Sequence, residues 1–239
     1  MDHLVKQRVA VIPARGGSKR LPKKNIMDFH GKPMIAWTIE AALESRLFDL
    51  VLVSTDSEEI AAISKAYGAT VPFLRNEHAD DFSTVSEATI SALKQLQDFN
   101  GKSYETVVQL MANCPLRSSK SIREQVEAFE AQKSKFSLLS GFKYGMFNPW
   151  WAHERKEDGS FQKVLTAKSE NTRSQDLPEL ICPSGATWIS NCNRLFEYGT
   201  FYSDDYRFHQ ISWIEAVDID DEEDLSLAKS AYLLLHESI

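Results

Sequence analysis

Apolar residues along this chain recur with two alternating periods. Short β-rich runs near 8–12, 49–54, 71–74, 105–111 and 136–140 read as strands, and the stretches near 33–45, 57–67, 84–98 and 119–132 repeat at helical spacing. Such alternation predicts an α/β fold, a mainly parallel sheet with helices on both faces joined by right-handed crossovers. Ligands of such folds sit at the carboxyl ends of the strands. After about residue 141 the alternation breaks. Residues 142–172 hold Tyr144, Phe147, Trp150, Trp151 and Phe161 together with Gly145, Pro149 and the Asp158-Gly159 pair, which predicts an excursion carrying a hairpin. Aromatic crowding in an excursion points to a subunit contact, and hence a homodimer, with plain packing and direct substrate contact as the competing readings. Residues 185–190 and 208–211 read as returning strands, and a helix near 221–237 closes a single domain over 1–239.

The first strand runs straight into Ala14-Arg15-Gly16-Gly17-Ser18-Lys19-Arg20-Leu21-Pro22-Lys23-Lys24-Asn25. Glycine lets backbone N–H groups crowd a bound anion with no Cβ in the way, and Arg15, Lys19, Arg20, Lys23 and Lys24 add charge around the same point. Cations packed this closely repel one another unless an anion relieves them. The loop therefore reads as a cradle for phosphates, not as a solvated basic turn. Neither the ATPase pattern G-x-x-x-x-G-K-[ST] nor the dinucleotide pattern G-x-G-x-x-G is present. Other local signals are structural: Asp56 with Glu59 predicts a capping box for the second helix, Gly68 its end, and Pro115 with Ser118-Ser119 a turn.

Composition narrows the partners. A chain of 239 residues with 43% hydrophobic composition suffices for a full core, and a net charge of −7 makes the basic loop a local exception. That balance argues against nucleic acid. Residues 1–8 lack the apolar core of a signal peptide, and no apolar run reaches the roughly 18 residues that span a bilayer. A soluble, cytoplasmic protein with no membrane contact is expected. Cys114, Cys182 and Cys192 include no C-x-x-C pair, so neither a disulfide framework nor a zinc site is indicated. No histidine stands out as a general base.

Together with Val53-Ser54-Thr55-Asp56, Pro115-Leu116-Arg117, Arg173-Ser174-Gln175-Asp176-Leu177-Pro178 and Val217-Asp218-Ile219-Asp220, the loop resembles the acylneuraminate cytidylyltransferases, the CMP-sialic acid synthetases. The motifs occur in the family's order over nearly the whole chain. The resemblance implies a Rossmann-like nucleotidyltransferase fold. It also implies a reaction in which the anomeric hydroxyl of a nine-carbon α-keto acid sugar attacks the α-phosphate of CTP, and pyrophosphate leaves with Mg²⁺ assistance. By the same resemblance Ala14, Arg15, Gly16, Gly17, Ser18, Lys19, Lys24 and Asn25 surround the nucleotide, with Arg15 and Lys24 as the catalytic cations at the triphosphate. In-line chemistry of this kind asks mainly for positioning and neutralisation of developing charge. Arg75 and the Asp81-Phe82-Ser83-Thr84 stretch align with the family's cytosine and ribose pocket. The hydroxyls of Ser83 and Thr84 suit a ring carrying an acceptor and a donor, and equally suit the cap of the helix that follows.

Arg173 and Gln175 are the sugar-side residues by family pattern, the guanidinium being suited to a substrate carboxylate; a surface salt bridge is the competing fate of such an arginine. Asp218 and Asp220 are the metal candidates, since two carboxylates one residue apart face the same side of an extended segment and suit Mg²⁺. The competing reading, an acidic run complementing the amino end of the last helix, fits Asp221, Glu222, Glu223 and Asp224 better than it fits Asp218 and Asp220. Two departures from the family pattern touch the sugar side. Gln-Pro-Thr-Ser-Pro-Leu-Arg appears as Met111-Ala112-Asn113-Cys114-Pro115-Leu116-Arg117, with Asn113 as the compensating amide, and Pro-Asn-Gly-Ala appears as Pro183-Ser184-Gly185-Ala186. They point away from N-acetylneuraminate and towards a diacetamido nonulosonate of the legionaminic or pseudaminic type. Two alternatives stay open: a cytidylyltransferase for another acceptor such as KDO, and a non-catalytic nucleotide-binding regulatory module.

Overall fold

The computed structural model describes residues 7–78, 83–145, 147–165 and 172–236. Its strands are β1 (Arg8–Pro13), β2 (Asp28–Phe29), β3 (Lys32–Pro33), β4 (Leu50–Ser54), β5 (Thr106–Leu110), β6 (Leu138–Lys143), β7 (His153–Arg155), β8 (Phe161–Lys163), β9 (Ile181–Asn191) and β10 (Arg207–Gln210). Its α-helices are α1 (Met34–Ser45), α2 (Glu58–Ala66), α3 (Val85–Asn100), α4 (Ser119–Ala131), α5 (Cys192–Tyr198) and α6 (Glu222–His236). Among the described residues no helix is long and apolar enough to cross a membrane.

Six strands form the main sheet in the order β10-β6-β9-β5-β1-β4. β1 pairs in parallel with β4, Val9 opposite Leu50, and with β5, Val9 opposite Val107. β10 runs parallel to β6, whereas β9 is antiparallel to both β5 and β6. The mainly parallel sheet is thus as expected, with one late strand inserted against the grain. Alternation along β1 feeds both faces: Ala10 and Ile12 pack with Ile35, Ile39, Ile122 and Val126 of α1 and α4, while Val9 and Val11 pack with Leu93 and Leu96 of α3 and Leu195 of α5.

Local chemistry sets the helix ends. Thr84 caps α3 in a full capping box with Glu87, and Gly101 ends that helix at φ 67°, a left-handed position that glycine adopts without strain. Ser118 caps α4 by accepting from the Ser121 N–H. The strand expected at 71–74 is not formed; pairing stops at a single parallel bridge from Thr70 to Leu52. Pro72 follows two residues later with no N–H to carry the ladder on. Helix α5 and the small β2–β3 hairpin had no sequence signal strong enough to announce them. The expected excursion does carry a hairpin, β7 paired antiparallel with β8 around Gly159 (φ 82°).

Candidate active site

The cationic loop leaves the carboxyl end of β1 at the centre of the sheet. Its first residue, Ala14, is buried and prolongs the β1–β4 pairing through its N–H to the Ser54 carbonyl at 2.9 Å. Asn25, also buried, donates to the Arg15 carbonyl at 3.0 Å and ties the two ends of the loop together. The Gly16 N–H donates to Asp56 Oδ1 at 2.8 Å, and a Cβ on Gly16 would lie 3.1 Å from that of Ser57. Close approach of the two loops is what this glycine permits. Two expectations change as a result. Asp56 does not cap α2; Ser57 does, by accepting from the Ile60 N–H, because Asp56 reaches across to the neighbouring loop instead. Nor does cationic crowding wait on a ligand for relief: Lys23 pairs with Glu59 at 2.8 Å, and Lys24 and Arg20 both pair with Asp220.

A cavity of about 130 Å³ opens beside the loop. Arg15, Ser18, Lys24 and Asn25 line it from the loop, Arg75, Ser83 and Thr84 from the far wall, and Asn113 from beyond the end of β5. These side chains come from segments far apart in sequence, and they are the ones singled out for a nucleotide and its acceptor. Gly16, Gly17 and Lys19 belong to the same loop but are not part of this lining, and Asp81 and Phe82 lie outside the described residues. His78 was not foreseen: it lines the cavity with its Nδ1 3.3 Å from Ser83 Oγ.

Arg75 is the buried cation of this cavity with donors to spare for an anion. It is 4% exposed, its backbone N–H is fixed to the Thr55 carbonyl at 2.7 Å, and its Nε and Nη1 have no partner among the described residues. Burial lowers its pKa, opposed by the Asp56 carboxylate and helped by the Arg15 charge. A buried guanidinium left this incomplete is costly unless a ligand supplies acceptors.

Behind Lys24 and Asn113, two of the lining residues, stand two carboxylates that are not themselves part of the lining. Val217 and Ile219 are buried in a cluster with Leu21 of the loop, Phe29 of β2 and Leu225 and Ala228 of α6, so packing of the last helix delivers residues 218–220 to the loop. Asp218 and Asp220 flank the inward Ile219, and Asn113 Nδ2 donates to Asp218 Oδ1, to the Ile219 carbonyl at 3.0 Å and to Asp220 Oδ1 at 3.4 Å. Both carboxylates therefore converge on one amide. Burial pushes the Asp218 carboxyl up to about 6, with the Asp220 charge adding to it. Burial also works to raise Asp220, but hydrogen bonds and charge from Lys24 and Arg20 outweigh it and hold that carboxyl below its usual range. Asp221 caps α6, accepting from the N–H groups of Glu223 and Asp224 at 3.0 Å each, which divides the acidic run into a capping part and a part that meets Lys24 and Asn113. Among the described residues no cluster of three or more His, Cys, Asp or Glu is assembled. Two convergent carboxylates nevertheless fit a hard divalent cation whose remaining ligands are phosphate oxygens and water.

A family model described as cytidylyltransferase matches residues 9–234. The chain belongs to that family. A pseudaminic acid cytidylyltransferase of Campylobacter jejuni is 34% identical over 234 residues, covering 97% of this chain and 99% of that protein. A CMP-N,N'-diacetyllegionaminic acid synthase of Legionella pneumophila is 33% identical over 233 residues, covering 97% and 98%. A solved CMP:2-keto-3-deoxy-manno-octonic acid synthetase, complexed with CTP, superimposes with a TM-score of 0.70 at 17% identity, covering 98% of this chain and all of that one. That likeness concerns the fold.

Not every expected residue of this cytidylyltransferase meets at the cavity. Arg173 is exposed and pairs with Asp176 at 2.8 Å, and Gln175 lines a separate cavity of about 330 Å³ with Lys143, Tyr144 and Asn148 at the base of the excursion. Sequence reasoning missed another feature. A cavity of about 370 Å³ shares Thr84 and Val85 with the cavity beside the cationic loop and is walled by Trp188 and Tyr202. Trp188 is fixed by its Nε1–H to the Ser184 carbonyl at 2.8 Å and meets Tyr202 edge-on at 5.4 Å. The aromatics of β9 and of the segment after α5 could have been flagged from sequence only by knowing that β9 inserts beside β5.

Arg117, fully enclosed, donates to the Ala186 and Met111 carbonyls and so ties β9 to the end of β5, its pKa lowered by burial to about 10. Gly185 next to it admits Met111, whose Cγ would lie 2.9 Å from a Cβ there, and Asp218, whose Oδ2 would lie at 3.6 Å. Cys114 is buried and its thiol is raised well above its usual value by that burial, which removes it as a nucleophile.

Proposed function

We propose that this cytidylyltransferase transfers CMP from CTP to the anomeric hydroxyl of a nonulosonate and releases pyrophosphate. The sugar hydroxyl gives up its proton to solvent and its oxygen forms a bond to the α-phosphorus, as the bond from that phosphorus to the oxygen bridging to the β-phosphate breaks and that oxygen leaves with pyrophosphate. The observation that carries the reading is the convergence of Arg15, Lys24 and the half-satisfied Arg75 on one cavity, with Asn113, Asp218 and Asp220 beside Lys24. Cations on one wall neutralise charge developing on the departing phosphates, while fixed groups hold the reacting atoms in line. Asp218 and Asp220 would hold Mg²⁺, which when bound supplies further positive charge to the phosphate oxygens.

The relatives named above support a diacetamido nonulosonate as acceptor, in keeping with Met111 and Ser184 at the two departures from the sialic acid pattern. The cavity walled by Trp188 and Tyr202 adjoins the nucleotide side through Thr84 and Val85, and its aromatic faces suit the apolar face and acyl methyl groups of such a sugar. A homodimer through the excursion suits its exposed Phe147 and Phe161. Pyrophosphate release from CTP and Mg²⁺ tests the reading against pseudaminic acid, diacetyllegionaminic acid, N-acetylneuraminate and KDO, with UTP and ATP as controls. Turnover with CTP and a diacetamido nonulosonate is expected. Preference for UTP over CTP, or for KDO over every nonulosonate, would overturn it.

A further inference from the structure

Asp220 is claimed twice by the cationic loop. Lys24 Nζ lies 2.6 Å from its Oδ1, and the Arg20 guanidinium pairs with its Oδ2. The two cations differ in setting: the Lys24 side chain is 14% exposed and that of Arg20 is 65% exposed. Both come from the loop read as the phosphate cradle, and Lys24 lines its cavity. One carboxylate with a cation on each oxygen has no electrostatic reason to attract a third. A triphosphate in the cavity offers Arg20 and Lys24 more negative charge than one carboxylate does, and bidentate acceptors for the guanidinium.

We propose that Arg20 is a further positioning residue of this centre: with Lys24 it occupies Asp220 in the nucleotide-free protein, and release of both cations to the triphosphate makes Asp220 available to a divalent cation. The inference rests on the reading of Asp218 and Asp220 as the metal-holding pair. It makes metal and nucleotide binding cooperative through the protein, beyond the chelation of metal by the nucleotide itself. In linkage terms, a group that favours the closed carboxylate weakens metal binding by its differential affinity for that state, and removing it strengthens binding by the same factor.

The test is Mn²⁺ binding, followed by the loss of the free-ion electron paramagnetic resonance signal, in wild type, Arg20→Gln, Arg20→Lys and Arg20→Gln/Asp220→Asn. Without nucleotide, Arg20→Gln is expected to bind Mn²⁺ about fivefold more tightly than wild type, the scale set by removing one unit charge near a solvent-screened site. Arg20→Lys should stay close to wild type. With CTP in excess, so that all Mn²⁺ is present as the Mn²⁺–CTP complex, the affinity of the protein for that complex, read by ultrafiltration, should differ little or not at all between Arg20→Gln and wild type. Equal Mn²⁺ affinity of Arg20→Gln and wild type without nucleotide would overturn the inference, as would an advantage that persists undiminished with CTP. The double variant separates the two layers. Loss of the gained affinity in it upholds Asp220 as a ligand, whereas Mn²⁺ binding as tight as in Arg20→Gln alone would remove Asp220 from the metal reading and overturn the inference with it.

Discussion

The carboxyl end of β1 and the β7–β8 excursion make opposite use of side chains. Around the β1 loop the supporting residues are enclosed: Ala14, Asn25, Arg75 and Asn113 are all buried, and each polar group is either fixed by a neighbour or aimed into the cavity. In the excursion every residue of β7 is exposed, and Phe147 and Phe161 stand 81% and 66% exposed. The first region spends apolar surface on holding cations still; the second leaves apolar surface unspent. A rigid polar site suits the proposed phosphate binding, and an unburied aromatic patch suits the proposed subunit contact.

The sharpest way to break this contrast is Lys24→Ala. Turnover measured by pyrophosphate release should fall by about 10²-fold or more, with the circular dichroism spectrum unchanged. A rate within a few-fold of wild type would separate the loop from the chemistry. Arg75→Met comes next. Loss of charge-assisted bonds to the nucleotide should raise KM for CTP roughly tenfold. Because the change also removes a buried charge with unpartnered donors, the ligand-free protein should melt at the same temperature or higher. A lowered melting temperature with unchanged KM would make Arg75 a structural residue and return the cavity to ordinary packing.

On the exposed side, Phe147→Ser with Phe161→Ser should convert a homodimer to monomer in sedimentation velocity while leaving the melting temperature close to wild type. A monomeric wild type would remove the subunit-contact reading altogether. The smallest effect is expected at Thr84→Ala, which deletes the cap of α3 and should cost about 1 kcal/mol in urea unfolding. Thr84 donates its N–H to Glu87 at 2.7 Å and lines the cavity as well, so a rise in KM for CTP beyond that stability loss would assign it both roles.

Much of this molecule was legible in the order of its residues. Hydrophobic periods gave α1 to α4 within a residue or two, because each of those helices buries one stripe against the sheet and its caps are local. The position of the cationic loop was legible for the same kind of reason: glycines and cations follow a buried strand within a dozen residues. Apolar content alone does not make a strand of 71–74, because Pro72 has no N–H to extend the pairing past the Thr70–Leu52 bridge. Asp56 was misassigned because a cap and a cross-loop acceptor look alike in sequence.

What the chain determined by itself is therefore the α/β class, the cationic loop at the end of its first strand and the pair of carboxylates astride Ile219. What only the tertiary structure decided is which of these meet. Lys24 and Asp220 stand 196 residues apart, and they touch because Ile219, Leu225 and Ala228 bury themselves against Leu21 and Phe29. Arg173 carries the same charge as Arg15 yet pairs on the surface, because the segment that holds it packs with the excursion and not with β1. Local spacing is encoded in covalent order, but encounter between distant segments depends on which apolar faces exclude water together.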